Sequence, residues 1–140
     1  MIEKVLLDAG PLAALVNPRD QWHEWARSEF REIVPPLLTC ESVLSEACFL
    51  ARRAPGGADA ILALAERGVI ELDFSLQERF VEIADLMRQY ANVPMSLADA
   101  CLVRMSELVA ESVVLTLDRD FRVYRRHKRQ KIPLLMPPER

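Results

Sequence analysis

Lys4-Val5-Leu6-Leu7-Asp8-Ala9-Gly10-Pro11 decides the fold. Three consecutive apolar residues read as a strand buried on both faces, and Asp8 to Gly10 stops it. Pro11 suits the first turn of a helix, where its missing N–H costs nothing, and a helix through Val16 follows. A buried strand that runs through one acid into a helix is the opening of a β-α unit. Further along, Val113-Val114-Leu115-Thr116-Leu117 repeats the pattern, with Asp118 at its end and a short helix expected to Tyr124.

The intervening chain alternates in the same way. Asn17-Pro18 breaks the first helix, and Gln21 to Arg31 resumes helical periodicity with Trp22, Trp25, Ala26 and Phe30 on one face. Leu37-Leu38 is a short strand. Thr39 is placed to cap a helix from Cys40 to about Arg53, Pro55-Gly56-Gly57 is a loop, and Ala58 to Arg67 is the next helix. Val69 to Phe74 is a strand; Ser75 and Glu78 have capping-box spacing for a helix to about Tyr90; Ser96 to Ala110 is another helix; Ile132 to Leu135 is a last strand. Alternation of this kind implies an α/β fold in three layers, with a mainly parallel central sheet and helices on both faces. Ligands of such sheets bind outside the carboxyl ends of the strands.

At 140 residues the chain is expected to be one domain. Hydrophobic residues make up 51% and charged residues 28%, a globular balance that excludes disorder, while only four glycines argue against a sandwich of many tight turns. No apolar run approaches the ~18 residues of a membrane span, and the first is too short for a signal peptide, so a soluble cytoplasmic protein is expected. Cys40, Cys48 and Cys101 lack metal-ligand spacing and read as buried reduced thiols. With only His23 and His127 besides, zinc is excluded and a metal would need oxygen ligands. Net charge is −3, yet seven Lys and Arg residues between Arg119 and Lys131 face the single acid Asp120, a local +6. That run is either a solvated face or a track for a phosphate backbone.

Two strands therefore deliver an acid, Asp8 and Asp118, toward one crevice. Each also suits a helix cap. Asp99 falls between Leu102 and Val103 on the wheel of its helix, at the edge of the apolar stripe, where a charge is costly; it is also three residues after Ser96, as a capping box requires. Glu46 borders the apolar face of its own helix, one turn from Val43 and Leu50. Carboxylates sharing one crevice repel one another unless a cation neutralises them, and hard Mg²⁺ or Mn²⁺ is the natural choice. Such an ion makes a nucleophile of bound water and offsets charge on a phosphoryl group.

Four segments together resemble the PIN-domain nucleases, across nearly the whole chain. They are Leu6 to Leu12, Thr39 to Glu46, Pro94 to Ala100 and Leu115 to Phe121. The resemblance implies that Asp8 and Asp99 are the principal metal ligands, that Glu46 and Asp118 complete a catalytic set of four acids, and that Thr116 and Asp120 assist. It implies a Mg²⁺- or Mn²⁺-dependent endoribonuclease that hydrolyses RNA to a 5′-phosphate and a 3′-hydroxyl, usually as a homodimer. Members of this size resemble VapC-type toxins of toxin-antitoxin pairs, silenced by a small DNA-binding antitoxin protein packed beside the active site. Trp22, Trp25 and Phe30 either line that groove or are plain core. Many relatives carry Asp where Ser96 stands, a departure that leaves the cap intact.

Other acidic enzymes fit less well. An RNase H-like nuclease carries its first acid in a hairpin meander, and a haloacid dehalogenase needs a second Asp where Gly10 stands. The alternative of a different class is a catalytically idle PIN-like module that binds RNA or a protein partner.

Overall fold

The computed structural model describes residues 1–139. Its main sheet has five strands in the order β3-β2-β1-β4-β7, formed by β1 (Val5–Leu7), β2 (Leu37–Thr39), β3 (Ile70–Leu72), β4 (Val113–Leu115) and β7 (Leu134–Leu135). Every pairing in it is parallel. Val5, Leu6 and Leu7 are fully buried, as a central strand covered on both faces must be.

Helices α1 (Ala9–Val16), α2 (His23–Arg31), α3 (Glu41–Leu50) and α4 (Gly57–Glu66) connect β1 through β2 to β3, stepping outward across the sheet. Helices α5 (Phe80–Gln89) and α6 (Leu97–Leu108) return the chain from β3 past β1 to β4. Parallel crossovers are right-handed, so stepping one way and then the other puts the two helix groups on opposite faces. The packing agrees: α1 lies against α2 and α3, α3 against α4, and α5 against α6, which also covers β1 and β4. The expected three-layer α/β architecture is thus present. The order in which strands are laid down reverses between the parallel neighbours β1 and β4, paired in register at Leu7 and Leu115. The connections leaving those two ends diverge, and a crevice opens where they part.

Elements differ from expectation where tertiary partners outweighed local signals. Thr39 does not cap α3; it is drawn into β2 opposite Leu72, and its hydroxyl donates to the Leu7 carbonyl at 2.7 Å. Cys40 takes the cap position without a side-chain bond. The Ser75-Glu78 pair forms one bond, Glu78 N–H to Ser75 Oγ at 3.3 Å, but starts only a 3₁₀ turn at Gln77–Arg79, and α5 begins at Phe80. The expected helix after Asp118 is likewise a single 3₁₀ turn, Arg119–Arg122.

Beyond it, β5 (Arg125–Arg126) and β6 (Gln130–Lys131) form an antiparallel hairpin that no turn signal announces. His127 and Lys128 occupy its turn in left-handed conformations, at φ 50° and 69°, where glycine or asparagine is usual. The His127 N–H donates to Glu107 Oε2 at 2.6 Å, so an anchor on α6 takes the place of turn chemistry. All three cysteines are free, Cys40 and Cys101 buried and Cys48 half-buried. Among the described residues no helix is long and apolar enough to cross a membrane.

Candidate active site

Asp8 follows β1 directly and is 7% exposed. Its Oδ1 accepts from the Ala9 N–H at 2.8 Å, making it the N-cap of α1, and its Oδ2 accepts from the Thr116 hydroxyl at 2.6 Å. Thr116 lies just past the end of neighbouring β4, fully buried, and its oxygen accepts in turn from the Asp118 N–H at 2.9 Å. Asp118 Oδ1 accepts from the Asp120 N–H at 2.9 Å, capping the 3₁₀ turn. The ends of β1 and β4 are therefore tied by one chain of hydrogen bonds.

Asp99 arrives from the opposite layer, in the first turn of α6. The capping box with Ser96 is complete: Asp99 N–H donates to Ser96 Oγ at 3.0 Å, and Ser96 N–H donates to Asp99 Oδ2 at 3.2 Å. The same Oδ2 accepts from the Tyr124 hydroxyl at 3.1 Å. Tyr124 is fully buried, and the rings of Phe121 and Tyr90 meet it edge-on, each at 5.2 Å. Asp99 is 7% exposed, and both donors fall on one of its oxygens.

Asp8, Glu46, Asp99 and Asp118 line one crevice of about 230 Å³ together with Gly10, Leu50 and Leu117. Among the described residues no Lys, Arg or His lines it. Gly10 permits the close approach of its wall, because a Cβ there would lie 3.1 Å from Leu117 Cδ1. Of the expected assisting residues, Thr116 supports Asp8 from behind, whereas Asp120 contributes its backbone to the turn and is not among the lining residues.

The electrostatics follow from this packing. Burial pushes the Asp8 carboxyl up to about 6, and the nearby charges of Asp99 and Glu46 add to the rise, against the bonds from Thr116 and Ala9 that lower it. Asp99 is raised by burial and by Asp118, against its hydrogen bonds. Glu46, exposed on α3, is raised by partial desolvation and then by Asp99 and Asp118. These acids thus carry negative charge that no cation among the described lining residues offsets, and all their donor atoms are oxygens. That is the chemistry of a site for a hard divalent cation. Among the described residues no three His, Cys, Asp or Glu side chains are grouped closely enough to hold an ion alone, so two carboxylates would need water and substrate oxygens to complete a shell.

Sequence reasoning did not single out Tyr124, which is distant in the chain from Asp99 and has no spacing relation to it. His23 has no place in the crevice; its Nδ1 meets the Ala14 carbonyl at 2.8 Å and ties α2 to α1. Trp25 and Phe30 pack against the core. The basic run starts beside Asp118, and its far end lies away from the acids. His127 is bound to Glu107, eight residues along α6 from Asp99, or about 12 Å. Within the run Arg122 pairs with Glu139, and the Arg125 guanidinium donates to the carbonyls of Arg122, Val123 and Tyr124.

A family model described as the PIN domain matches residues 5–127. No curated protein matches the chain in sequence. In three dimensions it is similar to the crystal structure of VapC20 from Mycobacterium tuberculosis, titled a Sarcin-Ricin loop cleaving toxin. The TM-score is 0.73 and the identity 21%, over 83% of this chain and 91% of that one. At that identity the likeness is one of fold.

Proposed function

Because the chain belongs to the PIN domain family, we propose that it is a metal-dependent endoribonuclease, acting as one domain and serving as the toxin of a toxin-antitoxin pair. The observation that carries this reading is the convergence of Asp8, Glu46, Asp99 and Asp118, from four separate segments, in one crevice with no cation among its described lining residues. The fold shared with VapC20 supports the toxin assignment.

Asp8 and Asp99 would hold a Mg²⁺ or Mn²⁺ ion, leaving much of its shell to water and a substrate phosphate oxygen. When bound, such an ion supplies a nucleophilic water at neutral pH and offsets charge on the phosphoryl oxygens. The protein's own groups do the rest. Thr116 and the Ala9 N–H hold Asp8, while Tyr124 and Ser96 hold Asp99 through its Oδ2, so that among the described residues Oδ1 accepts no hydrogen bond. Glu46, with its carboxyl raised above the ordinary range, is suited to take the proton of the attacking water as the new P–O bond forms. Asp118, fixed through its backbone to Thr116, completes the acidic wall. Hydrolysis in this sense leaves a 5′-phosphate and a 3′-hydroxyl. A cytoplasmic homodimer with a small DNA-binding antitoxin as partner belongs to the same proposal.

Purified protein incubated with total RNA and Mg²⁺ or Mn²⁺, beside Asp8→Asn and Asp99→Asn, tests it. Metal-dependent cutting by the parent alone is the expected result. No cutting by the parent with either ion rejects the nuclease in favour of an idle module that binds RNA or a protein, while equal cutting by the variants assigns the activity to a contaminant or another site.

A further inference from the structure

We propose that Phe49 and Arg52 form a stacking platform for an unpaired RNA base beside the scissile phosphate, so that cutting is directed to single-stranded segments. The inference rests on the nuclease reading above and adds to it a substrate contact. Phe49 is 61% exposed near the end of α3. It is three residues from Glu46, and Leu50 is four; residues at those intervals are neighbours on a helix surface. Glu46 lines the acidic crevice, and Phe49 stands one turn along the same helix from it.

The ring is also held. The Arg52 guanidinium lies over it at 3.9 Å from the centroid, and its Nη1 donates to the Phe49 carbonyl at 2.9 Å. With Arg52 on one face, the exposure of Phe49 belongs to the other face and the edges. An aromatic ring backed by an arginine is the surface on which unstacked nucleobases settle. Charge argues the same way. The crevice repels a polyanion and has no cation among its described lining residues, so a bound strand needs positive charge nearby, and Arg52 lies six residues beyond Glu46, just past the end of α3. Leu50 beside it is also exposed, but the guanidinium over the ring answers a phosphate, which an apolar protein segment does not supply.

The test reads binding separately from cutting. In an Asp8→Asn background, a short single-stranded RNA with 2-aminopurine at successive positions and the same sequence as a duplex are titrated with Mg²⁺ present. We expect fluorescence quenching at one or two positions of the single strand. Phe49→Ala raises its Kd about tenfold, Phe49→Trp restores it, and Arg52→Gln weakens it severalfold, with duplex binding unchanged. Circular dichroism confirms folding, since Phe49 is a surface residue. Unchanged Kd in Phe49→Ala, equal loss for single strand and duplex, or no RNA binding without the Phe49 change each overturns the platform, the first pointing to a protein side chain as its occupant. Phe49-dependent binding without cutting by the parent would instead sink the nuclease reading and leave the platform standing.

Discussion

The Thr116 hydroxyl donates to Asp8 Oδ2 at 2.6 Å across 108 positions of chain, and the same oxygen accepts from the Asp118 N–H at 2.9 Å. One buried hydroxyl therefore sets the orientation of a candidate metal ligand and the turn that carries a second acid. Thr116→Val keeps the shape and removes the hydroxyl, leaving a buried carboxylate short of a donor and an N–H short of an acceptor. We expect a loss of about 1–3 kcal/mol in urea unfolding at pH 7. RNA cleavage should fall at least tenfold, with its acidic limb displaced to higher pH because the lost bond had lowered the Asp8 pKa. Thr116→Ser should keep most of both; an active, equally stable Thr116→Val would refute the role.

The raised Asp8 carboxyl makes the metal-free fold pH-sensitive. Its folded value of about 6 exceeds the unfolded 3.8, so between those values the folded state holds the proton more tightly. The associated stability is fully present below pH 3.8 and is lost as pH rises through 6, an amount of roughly 3 kcal/mol. A divalent ion that binds ionised Asp8 should recover it only on the alkaline side. Calorimetric Tm in chelator should thus decline through this window by the Asp8 contribution, and Mg²⁺ or Mn²⁺ should raise Tm more at pH 7.5 than at pH 5. Asp8→Asn should remove the Asp8 share of the decline, leaving that of Asp99 and Glu46, and most of the metal shift; a metal shift independent of pH would count against the assignment.

Tyr124→Phe isolates the hydroxyl that touches Asp99 while keeping the ring packed between Phe121 and Tyr90. Groups that orient metal ligands typically matter ten- to a hundredfold in metal affinity or activity. We expect the Mn²⁺ concentration for half-maximal cleavage to rise about tenfold, with a stability change of about 1 kcal/mol. Isothermal titration with Mn²⁺ checks it without any catalytic readout, and parental affinity would dismiss the contact as incidental.

Gly10→Ala is a steric test of the crevice wall. The new Cβ would meet Leu117 at 3.1 Å, and Leu117 precedes Asp118 directly. Alanine gains up to about 1 kcal/mol over glycine inside a helix, which offsets the crowding. Tm should therefore move little while cleavage drops roughly ten- to a hundredfold through displacement of Asp118. Full activity at unchanged Tm would show that the wall yields freely.

Three of the four acids at this site also perform the ordinary task that their local sequence suggests. Asp8 caps α1, Asp118 caps the 3₁₀ turn and Asp99 closes the box with Ser96. A carboxylate has enough lone pairs to serve a backbone donor and still face a crevice, so capping and ligation were never exclusive. Local pattern for this reason identified the acids without separating the two roles. Strand-to-helix alternation was legible because buried parallel strands are short apolar runs and their connections carry helical periodicity. The β5-β6 hairpin was not, since its turn depends on Glu107 rather than on residues that favour left-handed backbone.

The amino-acid sequence by itself determined the α/β class, the placing of acids at the ends of β1 and β4, and the absence of a nitrogen and sulfur set for zinc. These rest on periodicity and residue chemistry, which act over a few positions. Only the tertiary structure decided that Tyr124 reaches Asp99, that Thr116 links Asp8 to Asp118, and that the hairpin after Tyr124 is anchored to Glu107 on α6. Those are contacts between residues far apart in the chain, set by how layers pack, and no local spacing encodes them.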